Sequence, residues 1–358
     1  MIPLRIALVL PHLGVFGGIR RFLELGEVWT RRGHSVAILV PDPAGAQPWV
    51  AYSGLILPLA ELPLGAWDVI LSPDPELFLT SRSPGALRVY YSVLEGAPLE
   101  DRALRAADLV LANSAGMRRY VARKGVKAGD AAGGVNVSWF RPRIADPWAS
   151  LAGSGRVAGI EPRAGDAPVE ALVYGRLSRR RKGTWVAARA IERASLATGV
   201  PVKLTLFDSP PPGEGKPSLP RPLRIPHQWV LNPTQKELAD LYRASDLFVS
   251  AERRAGWCNT AAEAMASGVA VVCTRSGTED FAIDRVTAGV PRWRWSWFLS
   301  SAISPLLRDP TRRAAVAARG VVKIQEFSWE RTADRIERAL AARMGGSIHG
   351  EGAERAAR

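Results

Sequence analysis

Short apolar runs alternate with amphipathic segments along most of this chain. The first run, LRIALVL at 4–10, is nearly continuous, which is typical of a parallel strand covered on both faces. A helical segment at 18–32 ends at Gly33, and a second strand follows it up to residue 41. Further apolar runs predict strands at 68–72, 87–93, 108–113, 169–175, 202–208, 246–250 and 268–274. Helical segments are predicted between strands at 99–107, 115–124, 183–198 and 234–245. Such alternation predicts doubly wound α/β layers with parallel sheets.

One region interrupts this alternation and suggests two domains. Residues 141–168 are rich in Pro, Gly, Ala and charged residues with weak periodicity, which is typical of a connection. A length of 358 residues also fits two domains. The predicted division is an N-terminal domain over 1–150, a linker over 151–168, a C-terminal domain over 169–326, an amphipathic helix over 327–345 and a frayed tail over 346–358.

Composition narrows the class of protein. The formal net charge is +14, which favours anionic partners such as nucleotide diphosphates, acidic glycans, nucleic acid or an anionic membrane. A generally basic proteome that keeps its proteins soluble explains the bulk of this charge equally well. No apolar run reaches the ~18 residues that span a bilayer. The opening run is short and interrupted by Arg5, so a buried strand explains it better than a signal peptide. We therefore expect a soluble or peripheral, cytoplasmic protein.

Neither cysteines nor histidines form a metal or disulfide pattern. Cys258 and Cys273 belong to no CxxC pair, and the four histidines are scattered. No paired carboxylates suggest a divalent cation. We therefore expect a reducing compartment, no structural zinc and no bound metal.

Two glycines follow the first strand. Gly17 and Gly18 precede the first helix, where adjacent glycines let the backbone approach an anion and the helix dipole favours negative charge. An ordinary flexible turn is the alternative. The dinucleotide fingerprint GxGxxG is absent, which argues against a hydride-transfer enzyme.

A basic run, RLSRRRK at 176–182, begins where a predicted strand ends. Ligands of open α/β sheets bind outside the carboxyl ends of strands, and both Arg and Lys can hold phosphate. Arg176 and Lys182 are the favoured functional members, although such a run is more often a solvated face.

The segment AGWCNTAAEAMASGVAVVCT at 255–274 predicts a tight turn, a short helix ending at Gly268 and a buried strand. Glu263 is the only charged residue within this stretch. An isolated carboxylate in such a setting usually has a partner or a ligand, and ribose hydroxyls suit it. The alternative is a helix that packs through Ala and Met and leaves Glu263 exposed.

The segment PRWRWSWF at 291–298 interleaves tryptophan with arginine. One interpretation is core packing at the start of a helix. Another is a patch at membrane headgroup depth, which suits Trp and Arg side chains. Binding of single-stranded nucleic acid is a weaker third interpretation, and we expect no nucleic-acid partner.

Motifs along most of the chain resemble those of the GT-B fold glycosyltransferases of family 4, which are retaining enzymes that use nucleotide sugars. They are GGIRRFLELGEVWTRRGHSVAILVP (17–41), ADLVLANS (107–114), GGVNVSWFRP (133–142), YGRLSRRRKG (174–183), LADLYRASDLFVSAE (238–252), EAMASGVAVVCT (263–274) and FSWE (327–330). The resemblance implies two Rossmann-like domains facing a cleft, with a C-terminal helix that crosses back to the N-terminal domain.

The resemblance also implies roles for single residues. Arg176 and Lys182 would hold the donor diphosphate and act in catalysis, while Glu263 would bind ribose. The remaining donor-binding residues it implies are Gly17, Gly18, Gly256, Trp257, Cys258, Asn259 and Thr260, the last five through a loop whose backbone lies against sugar and phosphate.

The chain departs from the family pattern in three places. Ala255 stands where the Glu-x7-Glu motif has its first glutamate, and Glu252 is a substitute if the loop is rebuilt. One extra residue in the basic motif makes Arg181 an alternative to the lysine. The usual histidine of the N-terminal domain is not evident, and SVLEG at 92–96 occupies its neighbourhood.

The function predicted from the sequence is metal-independent, hexosyltransferase-like transfer with retention. The donor is a nucleotide-diphosphate sugar, and the acceptor is a glycan, a lipid-linked molecule or a small molecule. No cofactor is expected, and an anionic membrane surface is a second partner under consideration. The alternatives are a catalytically inactive nucleotide-binding protein of the same fold, or another GT-B activity such as a sugar phosphorylase or epimerase.

Overall fold

The computed structural model describes residues 2–14, 17–43, 50–142, 167–210, 213–214 and 217–355, with side chains up to residue 345. The chain divides into two compact units. Unit 1 comprises Met1–Gly134 and Trp329–Arg358, and unit 2 comprises Val135–Ser328. The predicted domain boundary at 150 and residues 151–166 of the predicted linker lie outside the described residues.

The elements alternate as the apolar pattern predicted. The strands are β1 (Arg5–Val9), β2 (Ser35–Val40), β3 (Leu55–Pro58), β4 (Val69–Ser72), β5 (Leu87–Ser92), β6 (Leu109–Ala112), β7 (Gly129–Asp130), β8 (Val169–Tyr174), β9 (Val202–Asp208), β10 (His227–Leu231), β11 (Leu247–Ser250) and β12 (Ala270–Cys273). The helices are α1 (Gly17–Arg31), α2 (Pro75–Thr80), α3 (Glu100–Ala106), α4 (Ala115–Arg123), α5 (Thr184–Thr198), α6 (Gln235–Ala244), α7 (Asn259–Ala266), α8 (Ser296–Arg308), α9 (Pro310–Ile324) and α10 (Trp329–Arg355).

Unit 1 is built on a seven-stranded parallel sheet in the order β3-β2-β1-β4-β5-β6-β7. Its central strands are buried because helices cover the sheet, which explains the continuous apolar run of β1. Phe22 and Trp29 of α1 lie in the same core as Ile336 and Leu340 of α10. The last helix therefore returns to the first unit, as the sequence predicted.

Unit 2 repeats the scheme with five parallel strands in the order β10-β9-β8-β11-β12. Alanines at 187, 188, 190 and 194 on α5 are buried in the core with Leu204 and Val249 of the sheet. Small side chains let this helix approach the sheet closely. The strand order reverses between β8 and β11, and such a reversal is where α/β sheets bind ligands.

Some elements were not predicted. The strands β3, β7 and β10 and the helices α2 and α9 lie in regions for which no element was predicted, and α8 was indicated only by one interpretation of the Trp–Arg segment. Helix α10 extends to Arg355, beyond the predicted end at 345, and residues 356–358 of the predicted tail lie outside the described residues. None of the helices in the described ranges is long and apolar enough to cross a membrane.

Candidate functional site

Three parallel strands of unit 2 bring two predicted site residues, Arg176 and Glu252, and one that the sequence motifs did not indicate, Asp208, to one edge of the sheet. Strand β8 lies between β9 and β11, so their carboxyl ends emerge side by side. This arrangement brings together Arg176, which follows β8, Asp208 at the end of β9, and Glu252, which follows β11. The edge lies at the reversal of strand order, where a ligand is expected.

Arg176 is buried in an ion pair. Its Nη1 lies 3.2 Å from Oδ1 of Asp208 and donates to the carbonyl of Ser209 at 2.6 Å. Burial raises the pKa of Asp208, although the guanidinium of Arg176 acts in the opposite direction. The buried Nε of Arg176 has no hydrogen-bond partner. The guanidinium is therefore held from one side and keeps one donor for another acceptor.

Lys182 forms a second pair. It ends the 3₁₀ turn Arg180–Lys182, and its Nζ lies 2.5 Å from Oε1 of Glu252. The side chain of Lys182 is 20% exposed and that of Glu252 is 4% exposed, so the ammonium reaches the surface while the carboxylate lies beneath it. The ring of Tyr174, 5.5 Å from Nζ, adds a cation–π contact.

The other carboxylate oxygen of Glu252 faces a thiol. Cys258 Sγ lies 3.7 Å from Oε2 of Glu252. Burial, and secondarily the Glu252 charge, raise the pKa of Cys258 to about 11. The thiol is therefore protonated at neutral pH and acts as a weak donor, which helps to hold Glu252 in place.

The loop around Ala255 is held by backbone conformation and backbone hydrogen bonds. Arg254 has φ of 58°, a left-handed conformation that is uncommon for a residue with a side chain. The amide of Arg253 donates to the carbonyl of Arg181 at 2.8 Å, and the amide of Ala255 donates to Oγ of Ser276 at 2.8 Å. The first contact ties the loop to the basic run, and the second ties it to the segment after β12. Glu252, rather than residue 255, places its carboxylate beside Lys182.

Arg294 holds the two loops together, a role that the sequence analysis missed. Its Nε donates to the carbonyl of Ala251 at 2.5 Å and its Nη2 to the carbonyl of Arg180 at 3.2 Å. Gly183 lies against this contact, and a Cβ there would come 2.1 Å from the Ala251 oxygen. The only sequence signal for Arg294 is its place in the Trp–Arg alternation.

Glu263 lies on α7 and is buried. Oη of Tyr242 donates to its Oε2 at 3.2 Å. Tyr242 is itself fixed by edge contacts with the rings of Phe140, Phe207 and Phe248, at 5.7–5.9 Å between centroids. The interpretation that leaves Glu263 exposed is therefore wrong, because this residue is buried. The aromatic cluster fixes the Tyr242 hydroxyl that bonds its carboxylate.

The turn before α7 is held by a backbone hydrogen bond and by aromatic packing. The helix begins at Asn259, and the amide of Cys258 donates to the carbonyl of Gly277 at 2.8 Å. The Trp257 ring packs against Phe281 and Phe327, with centroids 4.9 and 5.6 Å away. Of the predicted donor-binding residues here, Gly256 and Cys258 are buried, whereas Asn259 and Thr260 are half-buried in the first helical turn.

The remaining predicted residues lie in unit 1. Gly17 and Gly18 form the first turn of α1, which contains no acidic residue in that turn. The amino end of a helix carries partial positive charge, which suits an anion. In the SVLEG neighbourhood the buried carboxylate of Glu100 accepts hydrogen bonds from the Gly96 amide at 3.1 Å and from Tyr120 Oη at 2.7 Å. Glu100, which no sequence motif indicated, organises this loop.

Two Rossmann-like units with parallel sheets, followed by a helix that returns to the first unit, define the architecture of the GT-B glycosyltransferases. Sucrose-phosphate synthase from Thermosynechococcus elongatus matches 96% of this chain and 100% of its own, with a TM-score of 0.72 and 17% identity. Anabaena HepE in complex with UDP-glucose matches 95% of this chain and 100% of its own, with a TM-score of 0.67 and 15% identity. At these identities the likeness shows the fold.

Sequence comparisons point to the same class. Residues 168–309, which contain the unit 2 site, match the family described as glycosyl transferases group 1. A D-inositol 3-phosphate glycosyltransferase of Rhodococcus erythropolis is 32% identical over 155 residues, which are 40% of this chain and 35% of that protein. The same-named protein of Segniliparus rotundus is 33% identical over 124 residues, 34% of this chain and 27% of that protein.

The chain thus spans about a third of the length of these relatives. The predicted resemblance to GT-B fold glycosyltransferases is confirmed, and the placement in family 4 stays a prediction.

Proposed function

We propose that this protein is a retaining glycosyltransferase that moves a sugar from a nucleotide-diphosphate donor to a hydroxyl-bearing acceptor. In this proposal the diphosphate binds at Lys182 and Arg176, ribose binds at Glu263, and the turn 256–260 offers backbone amides to phosphate and sugar. The acceptor is a glycan, a lipid-linked molecule or a small molecule such as an inositol phosphate, for which the matched relatives are named.

The Lys182–Glu252 pair is the observation that carries the proposal. An ammonium that reaches the surface beside a buried carboxylate can exchange its partner for a phosphate with little rearrangement. Glu252 would then be freed to accept a hydrogen bond from a sugar hydroxyl, which is the task of the glutamate absent at position 255. This placement favours an active enzyme over the inactive alternative.

The chemistry rests on charge stabilisation. Breaking the bond between sugar and diphosphate places negative charge on the leaving oxygens, and preorganised cations lower that barrier. Lys182 supplies one such charge, and the buried Nε of Arg176 supplies a directed donor. We propose that these groups replace a metal ion. Among the described residues, no group of three or more His, Cys, Asp or Glu side chains could hold one.

The direct test is a transfer assay with UDP-, GDP-, ADP- and dTDP-sugars against a panel of acceptors that includes an inositol phosphate. We expect transfer from one donor class, a product whose anomeric configuration by proton NMR matches that of the donor, and an unchanged rate with a chelator. Nucleotide binding without transfer across the panel would favour the inactive alternative. Formation of sugar phosphate from a glycan and free phosphate would favour a phosphorylase.

A further inference from the structure

Three tryptophans stand exposed at the start of α8. The exposed fractions of Trp293, Trp295 and Trp297 are 52%, 60% and 49%. The rings of Trp295 and Trp297 stack with centroids 5.4 Å apart and planes 3° from parallel. The interpretation of this segment as core packing is therefore wrong for its tryptophans, although the segment does begin a helix.

A half-buried arginine separates two of these tryptophans. Trp295 is extended, with φ −65° and ψ 147°, and α8 begins after it at Ser296. Arg294 donates to the carbonyls of Ala251 and Arg180, whereas its neighbours Trp293 and Trp295 are exposed. This arginine therefore anchors the segment that carries the exposed indoles.

A basic cavity adjoins the tryptophans. It encloses about 790 Å³, and its charged lining residues are Arg275, Asp284, Arg285, Arg292 and Arg312. Arg292 also stacks over the Trp293 ring at 5.5 Å, and the lining residue Phe298 contacts the Trp297 ring at 6.0 Å. Four arginines against one aspartate make this a cavity for an anionic group.

We propose that this face, formed by the three tryptophans and the arginine-lined cavity, binds the anionic phospholipid surface of a membrane. Indole rings partition to the headgroup region because one edge is polar and the remainder is apolar. Arginines beside them meet lipid phosphates and add electrostatic attraction to an anionic surface. An acidic protein would satisfy the arginines but would not account for three neighbouring exposed indoles.

Flotation with phospholipid vesicles tests this proposal. The vesicles are phosphatidylcholine alone, or phosphatidylcholine with about a third phosphatidylglycerol. We expect the protein to float with the anionic vesicles at low salt, to bind less at high salt, and to bind weakly to the neutral ones. Nucleotide plays no part in this assay, so its failure would leave the proposed sugar transfer untouched.

Matched variants separate the indoles from the arginines. The triple variant Trp293→Ser, Trp295→Ser, Trp297→Ser should lose at least about tenfold in vesicle affinity, in line with burial of three aromatic rings. Arg312→Ser should lose about fivefold and flatten the salt dependence. Trp139→Ser, which removes a 47% exposed tryptophan elsewhere in unit 2, should bind like the unchanged protein. Thermal melting of each variant verifies its fold.

Four results would overturn the proposal. The first is absence of the protein from the floating fraction at low salt, and the second is a triple tryptophan variant that floats as well as the unchanged protein. Equal binding to neutral and anionic vesicles would remove the role of the cavity. Capture by soluble polyglutamate without vesicle binding would assign the face to an acidic protein instead.

Discussion

Two ion pairs lie at the same edge of the unit 2 sheet, and they differ in how firmly each cation is held. Arg176 and Asp208 are both buried, at 9% and 3% side-chain exposure, and Arg176 also bonds the Ser209 carbonyl. Lys182 is more exposed than its partner Glu252 and has a single carboxylate contact with it. The family resemblance assigned both cations the same task, whereas the structure distinguishes a fixed cation from an accessible one.

The difference follows from strand position. Asp208 ends β9, directly beside the end of β8, so it meets Arg176 within the sheet edge. Glu252 and Lys182 lie on loops beyond the strands, and Arg294 joins those loops. A pair inside the edge is shielded from water, whereas a pair on loops can rearrange when an anion arrives. We therefore expect Arg176 to matter for stability and position, and Lys182 to matter for turnover.

The largest expected effect is the loss of stability in Arg176→Ala. Removing the guanidinium leaves the carboxylate of Asp208 buried without its cation, which costs about 3–5 kcal/mol of unfolding free energy. Urea denaturation measures it. The double variant Arg176→Met, Asp208→Leu should recover most of the loss. A single variant as stable as the unchanged protein would show that this pair is not structural.

Lys182→Ala should act mainly on turnover. Loss of a preorganised charge beside the leaving diphosphate raises the barrier by about 2.7–4 kcal/mol, measured as kcat/KM with the donor identified in the transfer assay. The matched control is Lys203→Ala, which removes an exposed lysine 4.0 Å from Glu170 and should leave turnover unchanged. Equal turnover of the Lys182 variant and the control would remove Lys182 from the mechanism.

Glu263→Ala tests the ribose end of the same site. Loss of a buried hydrogen-bonding carboxylate should weaken nucleotide binding by about 1–3 kcal/mol, or roughly five- to more than a hundredfold in Kd. Tyr242→Phe is the control, because it removes one hydrogen bond to Glu263 and keeps the carboxylate. It should cost less than Glu263→Ala. Unchanged nucleotide affinity in the alanine variant would place ribose elsewhere.

The smallest effect concerns the thiol beside Glu252. The Cys258 pKa is about 11 in the folded chain, against an ordinary value near 9. As the pH rises, the unfolded chain loses the Cys258 proton before the folded chain does. The contribution of the protonated thiol to the unfolding free energy is therefore complete below pH 9 and is lost as the pH rises towards 11. We expect about 1 kcal/mol of unfolding free energy to disappear between pH 9 and 10. The Cys258→Ser variant should show a shallower slope, and identical slopes would contradict the assignment.

Much of the fold could be predicted because parallel strands covered on both faces are continuously apolar. Runs such as VEALVYG and VKLTLFD correspond to β8 and β9 within one residue. Strand β10 was missed because HQWVL begins with polar residues and follows a Pro-rich loop, and it lies at the sheet edge. Edge strands and short elements lack the burial that produces a clear apolar run.

The site could be predicted only as a set of residues, not as a set of pairs. Arg176 and Asp208 are 32 positions apart, and Lys182 and Glu252 are 70 apart. Their pairing depends on the order of β9, β8 and β11, which apolar periodicity does not encode. Arg294 was missed for a different reason. Its acceptors are backbone carbonyls, which carry no sequence signal.

Isothermal titration calorimetry with UDP, GDP, ADP and dTDP tests the central claim most directly, namely that unit 2 holds a nucleoside diphosphate between Lys182 and Glu263. We predict binding of one of these nucleotides, weaker binding in Lys182→Ala and Glu263→Ala, and unchanged binding in Lys203→Ala. The absence of binding heat with all four nucleotides, or equal affinity across these variants, would contradict the claim.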